Sequence, residues 1–486
     1  MSIVQSIYRS IGRHATILAL VIVVAISAPA SAANLIWDNG GSGSDWATAG
    51  NWQLAPGGTD QAPVGGDTLY FTSTSNTGWG GNNNLAVGTA INGINFGVVP
   101  TGGTGNTSVG GHSIGGNRIL LTGNLLNDSS NNTGVQRINF DIELSGFRQF
   151  QAMANNSLSN GSATEDFVFG GTFTGSGSMF LRGDGNGKYR FNGALNQDGN
   201  FGMTDSNTQA TFNAVNSYTG TTTVARGTLF TLVDGALPST TTVQMGQGFS
   251  NANASTLDLS GTNQTIAGLF HEASANNNQN HRIVSTAPAT LTINNTSNYV
   301  YGDATHDGEI GGAISLVKGG SGTQTLGDTN TYTGSTTINA GTLELLATGS
   351  IDNSSSIEIG AGGTFDVSAI SNYTMDGTQP FTFGIDATDG GDAGLIDAAG
   401  LDITAAIVGF DITGELDDSD YILANYTALT GASFADVTVP DGYELDYNYQ
   451  GGNQIALTQL AVPEPSTIIL ALFGLIAMGV TYRRRK

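Results

Sequence analysis

A 14-residue segment at 216–229 recurs at 330–343 with nine identical positions. The shared residues include Asn216, Tyr218, Gly220 and Gly227 in the first copy, and Asn330, Tyr332, Gly334 and Gly341 in the second. The register then continues: Thr256-Leu257-Asp258-Leu259-Ser260 aligns with Thr364-Phe365-Asp366-Val367-Ser368 after a short insertion in the first copy. Within each unit the apolar residues alternate, as in Leu343 and Leu345, Ile357 and Ile359, Phe365 and Val367. Period two buries one face of a strand and wets the other, so these segments predict strands rather than helices. One such unit cannot bury its own apolar face. Successive units must therefore stack into coils. The pattern points Leu326, Ile338, Leu343, Leu345, Ile357, Ile359, Phe365 and Val367 inward. On the order of 20 coils at the usual strand spacing of ~4.8 Å predicts a rod roughly 100 Å long.

Composition agrees with many short strands and tight turns. Gly accounts for 71 of 486 residues, about twice the usual share, and there is no Gly-X-Y register to suggest collagen. The chain has no cysteine, which excludes disulfides, thiolate metal sites and Cys nucleophiles. Its net charge is −24. Six of its 15 Lys and Arg (Arg9, Arg13, Arg483, Arg484, Arg485 and Lys486) lie at the two ends, leaving nine for the body against 38 acids once Glu464 is set aside. No Lys or Arg occurs between Gly319 and Val462. A body this anionic repels nucleic acid and suits a solvated surface, an extracellular polysaccharide partner or recruitment of divalent cations.

Both ends read as address tags. Arg9 and Arg13 precede an apolar run at 15–28 and an Ala30-Ser31-Ala32 cleavage site, which predicts a signal peptide over 1–32 cut by signal peptidase. At the other end Val462-Pro463-Glu464-Pro465 leads into an apolar run at 468–480 and the basic cluster Arg483, Arg484, Arg485, Lys486. Alone, that order is a membrane segment held by a cytoplasmic positive cluster. It resembles the PEP-CTERM sorting signal of Gram-negative bacteria. The resemblance implies a transient anchor, processing by an exosortase-type protease near Pro463, Glu464 and Pro465, and delivery to the outer envelope or extracellular matrix.

The repeat unit resembles the autotransporter-associated β-strand repeat, whose members coil as right-handed parallel β-helices. The opening Trp37-Asp38, Asp45-Trp46 and Asn51-Trp52 is similar to the usual start of such proteins. The chain ends in a basic tail rather than in a series of ~10-residue amphipathic strands, so this reading gives it the passenger repeat without an outer-membrane barrel.

Few residues suggest chemistry. Residues 303–310, Asp-Ala-Thr-His-Asp-Gly-Glu-Ile, faintly match a calcium loop, but Ile314 stands where a bidentate carboxylate should close it, and an acidic turn is the plainer reading. Asp417, Asp418 and Asp420 form another acidic run. His112, His271, His281 and His306 show no metal-ligand spacing in the sequence, and no HExxH, GxSxG or phosphate loop is present. The four tryptophans, Trp37, Trp46, Trp52 and Trp79, suit a cap on the solenoid better than a sugar platform.

The sequence therefore predicts an all-β, right-handed parallel β-helix with a signal helix and a C-terminal hydrophobic helix. Its divisions are a signal peptide at 1–32, a cap and first coils at 33–165, repeats at 166–380, an acidic β region at 381–460 and the sorting tail at 461–486. It assigns no catalytic residue, cofactor or metal. The predicted role is a non-enzymatic, adhesin-like or structural envelope protein, with a polysaccharide-binding or polysaccharide-degrading β-helix as the alternative.

Overall fold

A computed structural model describes residues 32–72, 81–97, 108–127, 131–132, 134–152, 165–183, 187–205, 207–246, 254–272, 280–388, 392–416 and 419–460. The predicted signal and C-terminal helices, Ala30, Trp79, Asp417, Asp418 and the whole 461–486 tail lie outside these residues. Among the described residues no helix is long and apolar enough to cross a membrane.

The architecture is all-β. Its strands stack in parallel, each on the strand one turn of chain later, an arrangement consistent with a β-solenoid. One wall runs as an 11-stranded sheet. In it Asn34–Trp37 lies on Thr68–Phe71, that strand on Gly93–Phe96, and so on to Thr242–Met245 and Gly268–His271. A second wall takes Lys188–Phe191, Gln209–Phe212, Gly227–Thr231 and Ser255–Asp258. A third begins with Thr89–Ile91, Ile119–Leu121, Ile142–Ser145 and Phe173–Ser176. Partners lie 19 residues apart at Thr323 and Thr342 but 34 apart at Trp37 and Phe71, so the length of a coil varies through its loops.

Alternation decides which side chains enter the core. The eight residues from Leu326 to Val367 predicted inward are all fully buried. Stacking puts like on like: Ile338 pairs with Ile359, and Leu343 with Phe365. Phe167 stacks on Tyr189 at 5.6 Å, and Phe169 on Phe191 at 5.0 Å. Each such side chain removed from water contributes about 2 kcal/mol before entropy is counted. Between Ile338 and Leu343 the inward phase slips by one residue, because the strand Thr336–Leu345 turns a corner there. Gly341 sits at that corner with φ 63°, a conformation that suits glycine.

Both ends of the stack close with antiparallel pairs. Trp52–Leu54 runs antiparallel on Asn34–Trp37. At the far end the parallel ladder continues into Tyr421–Thr430, and Gln454–Gln459 then lies antiparallel against it and against Tyr443–Asp446. Reversed strands with their own partners cover edges that would otherwise recruit another chain.

Charge follows the coils as well. Arg118–Glu143, Arg182–Asp205, Arg190–Glu165 and Arg282–Glu309 each join neighbouring coils across 2.6–3.5 Å. The stretch after Lys318, which has no Lys or Arg before the tail, uses its acids differently. Asp366, Asp376, Asp386, Asp402 and Asp446 each accept the backbone N–H two residues ahead at 2.9–3.0 Å, closing a turn. The Thr388 hydroxyl and amide hold Asp386 below the usual carboxylate range, and Thr404 does the same for Asp402.

Candidate functional site

The repeated residues form one buried network twice. Asn216 accepts the Leu195 amide at 2.8 Å on the coil before and donates to the Ala236 carbonyl at 2.7 Å on the coil after. Asn330 accepts from the Ile310 amide at 3.0 Å and donates to the Ser350 carbonyl at 3.2 Å. The Tyr218 hydroxyl meets Thr222 Oγ1 at 2.5 Å; Thr222 meets Thr241 at 2.9 Å, and Thr241 donates to the Gly220 carbonyl at 2.7 Å. Tyr332, Thr336, Ser354 and the Gly334 carbonyl repeat that chain at 2.6, 2.9 and 3.0 Å. Burial pushes both tyrosine hydroxyls far from ionisation, so they act only as hydrogen-bonding groups. Gly220 and Gly334 have no room for a side chain, since a Cβ would lie 2.2 Å from Asn200 Oδ1 and 2.4 Å from the Ile314 carbonyl oxygen respectively. The network staples three coils together.

Trp37, Trp46 and Trp52 are buried and meet edge to face at 4.9 and 5.6 Å over Phe71. Their faces are spent on one another, as a cap requires. The Asp303 segment is no calcium loop: Ile314 is a fully buried residue of the strand Glu309–Gly319. An open groove of about 360 Å³ near the C-terminal coils is lined by Ser350, Asp352, Asn372, Tyr373, Asp376 and Gln379. It holds two carboxylates, one of which, Asp376, also takes the Thr378 amide.

The fold gathers groups that sequence spacing does not. His271 ends the strand Gly268–His271, and Asp303 and His306 form the turn after Tyr299–Tyr301 on the adjoining coil. His271 Nε2 lies 3.3 Å from Asp303 Oδ2, His306 Nδ1 lies 2.9 Å from Asp303 Oδ1, and the two imidazoles stack at 4.5 Å. His271 Nδ1 accepts the Gly302 amide at 3.1 Å, and its ring also reaches the Val300 carbonyl. Burial, then His306, push His271 down; hydrogen bonds from Thr305 and His306 outweigh burial and hold Asp303 well below the usual range. His281 bonds Ser255 Oγ through Nδ1 at 2.7 Å, and burial with His271 and His306 nearby pushes it down to about 4. Lys318 was equally hidden: it points into the core and donates to the carbonyls of Gly319, Gly320 and Ala340. Burial pushes its ammonium down to about 8. Its place in the alternation Ile314, Leu316, Lys318 was the one signal available.

His281 makes stability depend on pH with a definite sign. The unfolded imidazole takes up a proton near its ordinary value of ~6.5, whereas the folded one resists until about 4. The protein should therefore be most stable above about pH 6.5 and lose roughly 2–3 kcal/mol through this group between there and pH 4. Melting temperatures measured from pH 7.5 to 4 should fall, and His281→Gln should flatten the slope. An unchanged slope in that variant would move the effect elsewhere.

Residues 210–229 and 316–345 match the passenger-associated-transport-repeat, and 461–486 match the PEP-CTERM protein-sorting motif. The body carries passenger repeats and the tail a PEP-CTERM signal. The passenger-repeat matches contain much of both stapled networks, and the sorting motif implies processing by an exosortase. The chain is also 36% identical over 130 residues to the adhesin BmaC autotransporter of Brucella suis biovar 1 (strain 1330), a stretch covering 26% of this chain and 3% of that protein. No solved structure matches. With its passenger repeats and sorting signal, this is an exported, cell-surface protein of a Gram-negative bacterium.

Proposed function

We propose that the protein is a non-enzymatic, adhesin-like rod of the outer surface or extracellular matrix, released from a transient membrane anchor by cleavage near Pro463, Glu464 and Pro465. The observation that carries this reading is one chain joining passenger repeats to a PEP-CTERM tail. The similarity to an adhesin supports it over a short stretch. The coil is right-handed on this reading, in keeping with the strong preference of parallel crossovers for that hand. Acids scattered over turns suit a surface that meets acidic polysaccharide through divalent cations, each contact weak and the row of them strong.

The groove at Asp352 and Asp376 gives the alternative a location, because a polysaccharide-cleaving enzyme needs two carboxylates facing one cleft. One experiment separates the readings. Cells displaying the full chain, and cells whose chain lacks 461–486, are scored for surface retention and for binding and cleavage of a polysaccharide panel. The full chain should stay at the surface and retain a polymer without shortening it, while the tail-less chain appears in the medium. Cleavage abolished by Asp352→Asn or Asp376→Asn would establish the enzyme instead.

A further inference from the structure

We propose that His271, Asp303 and His306 bind one zinc-like divalent ion that pins two consecutive coils together. Two imidazoles and a carboxylate each offer a ligand atom, and these atoms lie within 4.8 Å of one another. A tetrahedral ion with bonds of ~2.0–2.2 Å holds its donors roughly 3.3 Å apart. The separations of 3.3 Å from His271 Nε2 and 3.0 Å from His306 Nδ1 to the same oxygen, Asp303 Oδ2, are already of that size. Closing on one ion needs the two imidazoles, now stacked with 24° between their planes, to turn so that both nitrogens face it.

The surroundings point the same way. The His271 side chain is only 6% exposed and so has little freedom to turn away. The His306 ring is held over His271 at 4.5 Å, and its Nδ1 faces Asp303. Asp303 is 31% exposed, which leaves an entry path and room for a water as fourth ligand. The Asp303 carboxylate also accepts the Thr305 and His306 amides at 2.7 and 2.8 Å, so its position is set before any ion arrives. On binding through Nε2, His271 carries its proton on Nδ1 and gives up the hydrogen bond that Nδ1 accepts from the Gly302 amide.

Donor chemistry selects the ion. Two nitrogens and one oxygen favour zinc and its transition-metal neighbours, whereas calcium and magnesium require six or more oxygens or retained waters. The structural gain is a cross-link in a chain that cannot make a disulfide. The ion would join His271 to the turn at Asp303 and His306, closing a loop of about 30 residues between neighbouring coils.

The test uses the purified exported protein, stripped with EDTA and titrated with zinc sulfate by calorimetry, with cobalt(II) as a spectroscopic probe. Wild type should take up one zinc per chain, give the intense visible absorption of tetrahedral cobalt(II), and melt at a higher temperature with zinc than with EDTA. Asp303→Asn and His306→Gln should each weaken zinc binding by more than about 100-fold while far-UV circular dichroism stays that of wild type. His112→Gln, on a distant coil, should bind zinc normally. The absence of saturable uptake in wild type would overturn the proposal. So would uptake that survives in the Asp303→Asn, His306→Gln double variant, or calcium binding as tight as zinc.

Discussion

Leu343→Asp should unfold the repeat region or leave it barely folded. Leu343 is fully buried and lies in the ladder between Gln324 and Phe365, so its replacement sets a carboxylate in a dry column with no cation beside it. No Lys or Arg follows Lys318 until the tail, and the Lys318 ammonium is committed to three carbonyls. Losing the leucine costs about 2–5 kcal/mol, and burying an unpaired charge costs several more unless the residue is protonated. Because each coil is the template for the next, the damage spreads to neighbours. Thermal melting and limited proteolysis should show a loss of more than about 4 kcal/mol, whereas Leu343→Met should cost less than about 1.5. A melting temperature equal to wild type would mean that Leu343 does not face the core.

Gly227→Ala should be nearly as damaging, for a backbone reason. Gly227 has φ 82°, and a Cβ built there would lie 2.1 Å from the Thr208 carbonyl oxygen on the coil below. That oxygen already accepts the Thr228 amide at 2.8 Å, so it cannot retreat without breaking the ladder. Left-handed strain of ~1–2 kcal/mol and an overpacking cost of ~1–3 kcal/mol together predict a loss of roughly 2–5 kcal/mol. Gly235→Ala supplies the comparison, since Gly235 has φ 65° with nothing within 4 Å of its Cβ. It should show the strain alone. Equal losses in the two variants would leave conformation, and not the approach of coils, as the reason for glycine at 227.

The sequence by itself determined the strand type and the inward set. A period-two pattern allows one choice of buried face, and slipping by one residue would expose every apolar side chain. It also marked Asn216, Tyr218, Asn330 and Tyr332 as equivalent, although not what they do. The asparagine bonds run to partners about 20 residues away on either side, such as Leu195 and Ala236, and a backbone amide or carbonyl leaves no trace in residue identity.

Only the tertiary structure decided the rest. His271 and Asp303 meet because one coil happens to return the chain there, and coil length is 19 residues in one place and 34 in another, so no fixed spacing encodes the meeting. Acids that read as bulk surface charge became turn-closing acceptors at Asp366, Asp386 and Asp402, since the donor in each case is a backbone amide. Local periodicity records which way a side chain points. Which groups from different coils then touch depends on loop lengths and on how the coils stack.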